Sequence, residues 1–291
     1  MIDYLHIASK PQPGNTFLIV DGAQLPELPA TLYRYTSNIL WRSLYQATYL
    51  EPLINISPVL CDISDAQHFL QWLAENHGNC PWGIGIRSQS DFDQTWRHLQ
   101  SICWASSSMG EKVLLRYYDP RIAEKLFQIK HESTHSLLGP IDQIWVPKQS
   151  HGHPHLAQLE LPPYSSYSPQ GAQTAGWFTL QALHEQAIEQ VHEEYLRDTI
   201  AAHVKEYFPN KWNNISRSGQ ERWIQKRIDQ ARELGLESPQ DMLLLTNIIC
   251  FLGENCLEDS THPAIQLLNS ESPLPVSERL NQAATLLENE T

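Results

Sequence analysis

The stretch KVLLRYYDPRIAEKLFQIKHES, residues 112–133, reads as a strand running directly into a helix. Its first part, 112–119, is an apolar and aromatic run broken by Arg116, and is the strongest strand candidate in the chain. Alternation places Val113, Leu115 and Tyr117 on one strand face and Leu114, Arg116 and Tyr118 on the other. Asp119 has the right chemistry to cap the helix that follows, and Pro120 occupies the first helical position, where its missing N–H costs nothing. Ile122, Leu126 and Ile129 then repeat at helical spacing. An arginine held among apolar strand neighbours needs a counter-charge. Asp21, at another strand end, is a candidate. Asp119 and Arg121 read first as builders of a strand-to-helix corner, with direct contact to a partner as the alternative.

Working outward, the same alternation recurs. TFLIVDG (16–22), SPVLCDIS (57–64) and WGIGIRS (82–88) are strand-like, while AQHFLQWLAEN (66–76) and DFDQTWRHLQSICWAS (91–106) carry helical periodicity. Strands interleaved with helices predict an α/β N-terminal domain, a mixed sheet with flanking helices, over 1–150. The segment 151–175, rich in Pro, Ser, His and Gly, reads as a connector with room for one short strand at 155–161. From 176 to 291 the pattern is an all-α C-terminal helical lobe. A long helix spans 179–208, SGQE (218–221) forms a capping box, and Ser238 with Pro239 opens a helix that Gly253 ends. Two more helical patterns follow.

Composition narrows the function. The 291 residues include 20 Lys and Arg against 33 Asp and Glu, a formal net charge of -13. Such a chain repels phosphate backbones, so nucleic acid is not an expected partner. Five scattered cysteines form no disulfide framework and fit a reducing cytosol. The start, MIDYLHIASKPQPG, has no basic region followed by an apolar run, and no stretch approaches the ~20 apolar residues of a membrane span. The expectation is a soluble, cytoplasmic protein with no membrane insertion.

HESTH, residues 131–135, satisfies the H-E-x-x-H pattern of zinc peptidases. On the helix that runs from Pro120 through 133, Ser133 shares the face of Ile122, Leu126 and Ile129. His131 and His135 then point the other way with Glu124 and Gln128, away from any walled cleft. The extended pattern lacks its third ligand, since Leu138 and Ile141 occupy the required positions. A polar helix face is therefore preferred over a metal site at His131 and His135. HGHPH (151–155) can take up a transition metal adventitiously. No phosphate loop, dinucleotide fingerprint or G-x-S-x-G occurs, so no cofactor is expected.

Several runs in succession resemble the type VI secretion adaptor family, the effector-loading chaperones first described as a domain of unknown function. They are FLIVDGA (17–23), SLYQATYLEPLINISPVLCDIS (43–64), WGIGIRSQSDFDQTWRHLQSICW (82–104), LLRYYDPRI (114–122) and LLGPIDQIWVP (137–147). The resemblance implies a protein without catalytic activity. It implies binding to a toxic effector in the cytoplasm and loading of that effector onto the VgrG spike, sometimes with a PAAR tip module. Where the family pattern has a basic residue after His98 and Leu99, this chain has Gln100. The family carries no zinc motif at HESTH. Interfaces that hold folded partners rely on aromatic and Arg anchors, and Tyr33, Tyr35, Trp41, Tyr45 and Tyr49 cluster early. Trp41, Tyr45 and Tyr49, with Asp21, Arg116, Tyr118, Asp119 and Arg121, are the expected partner-binding or site-organising residues; for Tyr45 and Tyr49 a core position is the alternative. Tyr164 and Tyr167 add aromatics in the connector. The competing functions are a zinc-dependent hydrolase using HESTH and a general acidic protein-binding module.

Overall fold

The computed structural model describes residues 15–25, 27–35, 39–64, 66–78, 80–150, 153–163, 176–258 and 261–288. The tyrosines at 164 and 167 and the histidine at 151 lie outside them. The chain divides into two compact units, Met1–Val191 and His192–Thr291.

Among the described residues of the first unit, eight strands appear: β1 (Asn15–Val20), β2 (Trp41–Ser43), β3 (Val59–Asp62), β4 (Gly83–Ser88), β5 (Trp104–Ser106), β6 (Lys112–Leu114), β7 (Ile141–Ser150) and β8 (His153–Gln158). Six form one sheet in the order β2-β3-β1-β4-β7-β8, and β5 and β6 form a separate ribbon. The expected sheet with flanking helices is present, but each of its pairings is antiparallel where a mixed sheet was anticipated. The reason is topological. β3 and β4, linked through the helix α2 (Gln67–His77), do run in the same direction, but β1 lies between them and pairs with both. Phe17 to Val20, buried in succession, make β1 the centre of the sheet. They fit a strand covered on both faces, which reads as a continuous apolar run.

Helix α1 (Leu28–Tyr35) and α2 pack Leu28, Leu32, Phe69, Leu70 and Leu73 into a core with Leu18, Val20 and Trp82. Burying each such side chain contributes about 1.5–3 kcal/mol before entropy. Helix α3 (Phe92–Ser101) is capped by Asp91, whose side chain accepts from Gln94 N. It stops at Ser101, and the expected helical run to 106 gives way to β5.

The helix expected over 120–133 is two helices, α4 (Pro120–Phe127) and α5 (Glu132–Leu138). Gly139, at φ 55°, ends α5 and turns the chain into β7. β7 and β2 had no clear sequence signal. In β7, Asp142 is held by Arg87 of β4 through Nε at 2.7 Å and Nη2 at 3.1 Å, beside a bulge at Arg87/Ser88. Asp142 and Pro147 make this central strand read as loop.

Helix α6 (Ala182–Tyr207) contains the point where the two units divide. The second unit continues with α7 (Pro209–Asn213), α8 (Arg217–Glu233), α9 (Pro239–Leu252), α10 (Pro263–Asn269) and α11 (Val276–Glu288), so the expected all-helical lobe is observed. Ser238 caps α9 by accepting from Asp241 N, as its sequence indicates. The cap of α8 is Ser216, accepting from Gly219 N, rather than the anticipated Ser218. Ile200, Val204, Ile224, Ile228, Leu245, Ile249, Ile265 and Leu280 form the core. All five cysteines are free thiols. No described helix is long and apolar enough to cross a membrane.

Candidate functional site

The end of β1 and the turn after β6 form one buried polar corner. Asp21 is 2% exposed. Its backbone N–H donates to Trp82 O at 2.8 Å, and its Oδ1 accepts from Ala23 N at 3.0 Å. Its Oδ2 accepts from Arg116 Nη2 at 2.7 Å, so Arg116 finds the carboxylate that the sequence offered. Gly22 follows because a Cβ there would lie 2.4 Å from the Ser57 carbonyl oxygen. The Val-Asp-Gly run is thus a packing solution: an acid aimed inward, then a residue with no side chain.

Strict alternation through 112–119 does not hold. β6 ends at Leu114, and Asp119 N donates to Arg116 O at 2.9 Å across a turn. The turn sends both Tyr117 and Tyr118 inward. Tyr117 Oη donates to Leu99 O at 2.9 Å. Tyr118 Oη and Tyr45 Oη lie 3.1 Å apart, and the Arg116 guanidinium stands 5.9 Å from the Tyr118 ring centre. Asp119 caps α4 by accepting from Arg121 N at 2.9 Å, the corner-building role; Arg121 sits half-buried in the first turn.

The electrostatics follow from burial. Desolvation raises the phenol pKa of Tyr118, reinforced by Tyr45, and raises that of Tyr45 as well, so both stay neutral hydrogen-bonding groups. For Arg116, burial works against the charge, but the Asp21 carboxylate and its hydrogen bond outweigh it and raise the pKa. The corner holds its charges paired and its hydroxyls protonated.

Several large apolar side chains of the same unit lie open to solvent. Tyr45 is 4% exposed and interior, whereas Tyr49 is 80% exposed. The Tyr49 ring rests on Trp104, with centroids 5.2 Å apart, and Trp104 pairs across the ribbon with the exposed Leu114. The 3₁₀ turn Glu51–Ile56 follows directly and buries none of its residues, leaving Leu53, Ile54 and Ile56 facing outward. Gln100, where the family pattern has a basic residue, donates from Nε2 to Leu44 O at 3.2 Å and Gln46 O at 2.9 Å, holding the loop that carries Tyr49. Trp96 Nε1 donates to Ser43 O at 3.0 Å just upstream. Trp41 is half-buried on the edge strand, with the exposed Tyr33 ring edge-on at 6.0 Å. Sequence reasoning singled out Tyr49 but missed Leu53, Ile54, Ile56 and Trp104. EPLINI resembles ordinary core sequence, and only the 3₁₀ turn exposes it.

HESTH straddles the break between α4 and α5. His131 is the residue before α5, in extended conformation (φ -142°, ψ 150°), and its Nδ1 accepts from Ser133 N at 3.2 Å. Ser133 Oγ lies 2.7 Å from His131 Nδ1 and 3.2 Å from His184 Nε2. His184 is fully buried at the start of α6, and its Nδ1 accepts from Gln181 N at 3.0 Å. That bond fixes the tautomer: His184 Nε2–H donates to Ser133 Oγ, whose proton goes to His131 Nδ1. His131 Nδ1 is engaged as a helix cap. The unbroken helix that would present His131 and His135 together on its polar side is absent. Among the described residues no three His, Cys, Asp or Glu side chains are grouped to hold a metal.

Residues 16–136 match the family described as "Domain of unknown function (DUF4123)", a span running from β1 through HESTH. The resemblance to the type VI secretion adaptor family drawn from the sequence is borne out in that span. Over 274 residues the chain is 25% identical to the accessory protein VasW of Vibrio cholerae serotype O1 (strain ATCC 39315 / El Tor Inaba N16961). That alignment covers 93% of this chain and 86% of VasW, both units included. No solved structure matches the chain.

Proposed function

We propose that this protein is a non-enzymatic adaptor. It binds a cognate type VI secretion effector in the cytoplasm and promotes its loading onto the VgrG spike, alone or with a PAAR tip module. The observation that carries this reading is the exposed apolar surface of Tyr49, Leu53, Ile54, Ile56 and Leu114 beside Trp104. Clustered apolar side chains held open to solvent mark sites of protein contact, and aromatic anchors supply most of the energy in such contacts. The family match and the similarity to an accessory protein over both units support the same role. In this reading Tyr49 touches the effector and Trp41 borders it. Asp21, Arg116, Tyr45, Tyr118 and Asp119 organise the support beneath, and Arg121 lies at its rim. An α/β adaptor domain, a connector and a helical lobe would give one face to the effector and another to the spike.

The test is affinity purification of the tagged chain from its native cell, with identification of bound proteins. The wild type is expected to return an effector and a spike protein. The double variant Tyr49→Ala, Ile54→Ser should lose the effector with an unchanged melting temperature, and Glu132→Gln should retain both partners. Loss of capture in Glu132→Gln, or recovery of neither protein by the wild type, would refute the reading.

A further inference from the structure

Arg227 projects from α8 into the helical unit with 1% of its surface exposed, flanked by Ile224 and Ile228. Its Nε, Nη1 and Nη2 are all buried, and none meets a hydrogen-bond acceptor among the described residues. A guanidinium carries five N–H donors, and a buried charge without acceptors is heavily penalised. The Trp223 ring centre lies 4.9 Å from the guanidinium carbon. A π face attracts the cation but leaves the N–H donors without acceptors.

The neighbouring groups do not relieve this. The Glu254 carboxylate acts on Arg227 through space, yet it faces solvent and accepts from Trp223 Nε1 at 3.0 Å. Lys211 Nζ is taken by the Cys250 carbonyl. Burial raises the pKa of the Cys250 and Cys256 thiols, which stay neutral. The interior of this unit therefore holds a positive charge with an unused planar fork, in a chain that is strongly acidic as a whole.

We propose that Arg227 anchors an oxyanion site in the helical unit, taking a carboxylate or phosphate group at the N–H edge of its guanidinium, next to Trp223. The fork matches the paired oxygens of either group, which an ammonium cannot do. Glu254 stands at the rim as a competing negative charge, so its hydrogen bond to Trp223 yields when the anion enters. The site is built from residues of the second unit and does not depend on the function assigned to the Tyr49 surface.

The test titrates acetate or inorganic phosphate into the full chain at constant ionic strength, with chloride as reference, following tryptophan fluorescence and thermal unfolding. The expected result is a saturable fluorescence change with a rise in melting temperature for at least one anion. A response to acetate identifies carboxylate recognition; a response to phosphate alone identifies a phosphate group. Arg227→Met, which keeps the length of the side chain, should abolish the saturable response, and Glu254→Gln should tighten it. If Arg227→Met does not fold, Arg227→Lys takes its place and should bind about tenfold more weakly, having charge without the fork. No saturable response to either anion, as solvation by interior water would give, overturns the proposal. So does an undiminished response in the Arg227 variants.

Discussion

Arg116 and Asp21 stabilise the first unit by a pairing whose two halves are unequal. Asp21 is enclosed, while Arg116 still reaches solvent. Removing the arginine leaves a carboxylate in the interior, whereas removing the acid leaves a cation that solvent can reach. Arg116→Met should therefore cost more than Asp21→Asn, about 2–3 kcal/mol against about 1 kcal/mol. Urea denaturation of both variants checks the order, and a reversed order would show that the pair is not organised as described. Tyr45→Phe should cost about 1 kcal/mol for the lost hydroxyl contact with Tyr118. His184, held by Ser133 and Gln181, gives the first unit a pH dependence. Burial and the neighbouring His131 lower its pKa, against a smaller opposing effect of Glu185. The unfolded chain binds the proton more readily, so the stabilisation is complete above the ordinary histidine range near 6.5 and declines as pH falls. His184→Asn should flatten the fall of melting temperature between about pH 7.5 and 5.5. An equally steep fall in the variant would remove His184 as its origin.

At the scale of elements, short-range patterns were readable where the local chain decides the outcome. β1, β3, β4, α2 and the Ser238 cap of α9 follow from apolar periodicity and cap chemistry alone. The readings that changed depend on partners distant in sequence. Asp142 is strand because Arg87 meets it, and Tyr117 turns inward because Leu99 offers a carbonyl. For the candidate surface, the aromatic cluster was visible in sequence, but not which ring faces solvent: Tyr45 and Tyr49 are four residues apart and opposite in burial. The α5–β7 junction is a further case. Gly139 has φ 55°, and a Cβ there would lie 2.3 Å from the His98 ring. His98 is itself held 2.9 Å from Leu137 O, and burial lowers its pKa to about 4. Gly139→Ala faces both backbone strain and a steric clash, so a loss of about 2–4 kcal/mol is expected. A melting temperature within error of the wild type would contradict this account of the Leu-Gly-Pro run.

For the whole molecule, charge sets how partners approach. At -13 the chain attracts basic surfaces over a Debye length of about 10 Å at 0.1 M salt. If the captured partner presents such a surface, association should slow as salt rises from roughly 0.05 to 0.5 M, while the apolar contact around Tyr49 keeps dissociation nearly constant. Stopped-flow association and surface-based dissociation measurements separate the two. A salt effect confined to dissociation would place charged groups inside the contact instead.

The position of β1 has a consequence for biosynthesis. Phe17 pairs with Asp62 on one side and Ile86 on the other. A nascent chain therefore releases its most apolar strand before either neighbour exists. At roughly 5–20 residues per second, that segment waits several seconds on the ribosome before its ladders can close. During that interval Phe17, Leu18, Ile19 and Val20 form a ready target for holdase chaperones. Slow codons between β1 and β4 would lengthen the delay, and with it the yield lost to aggregation.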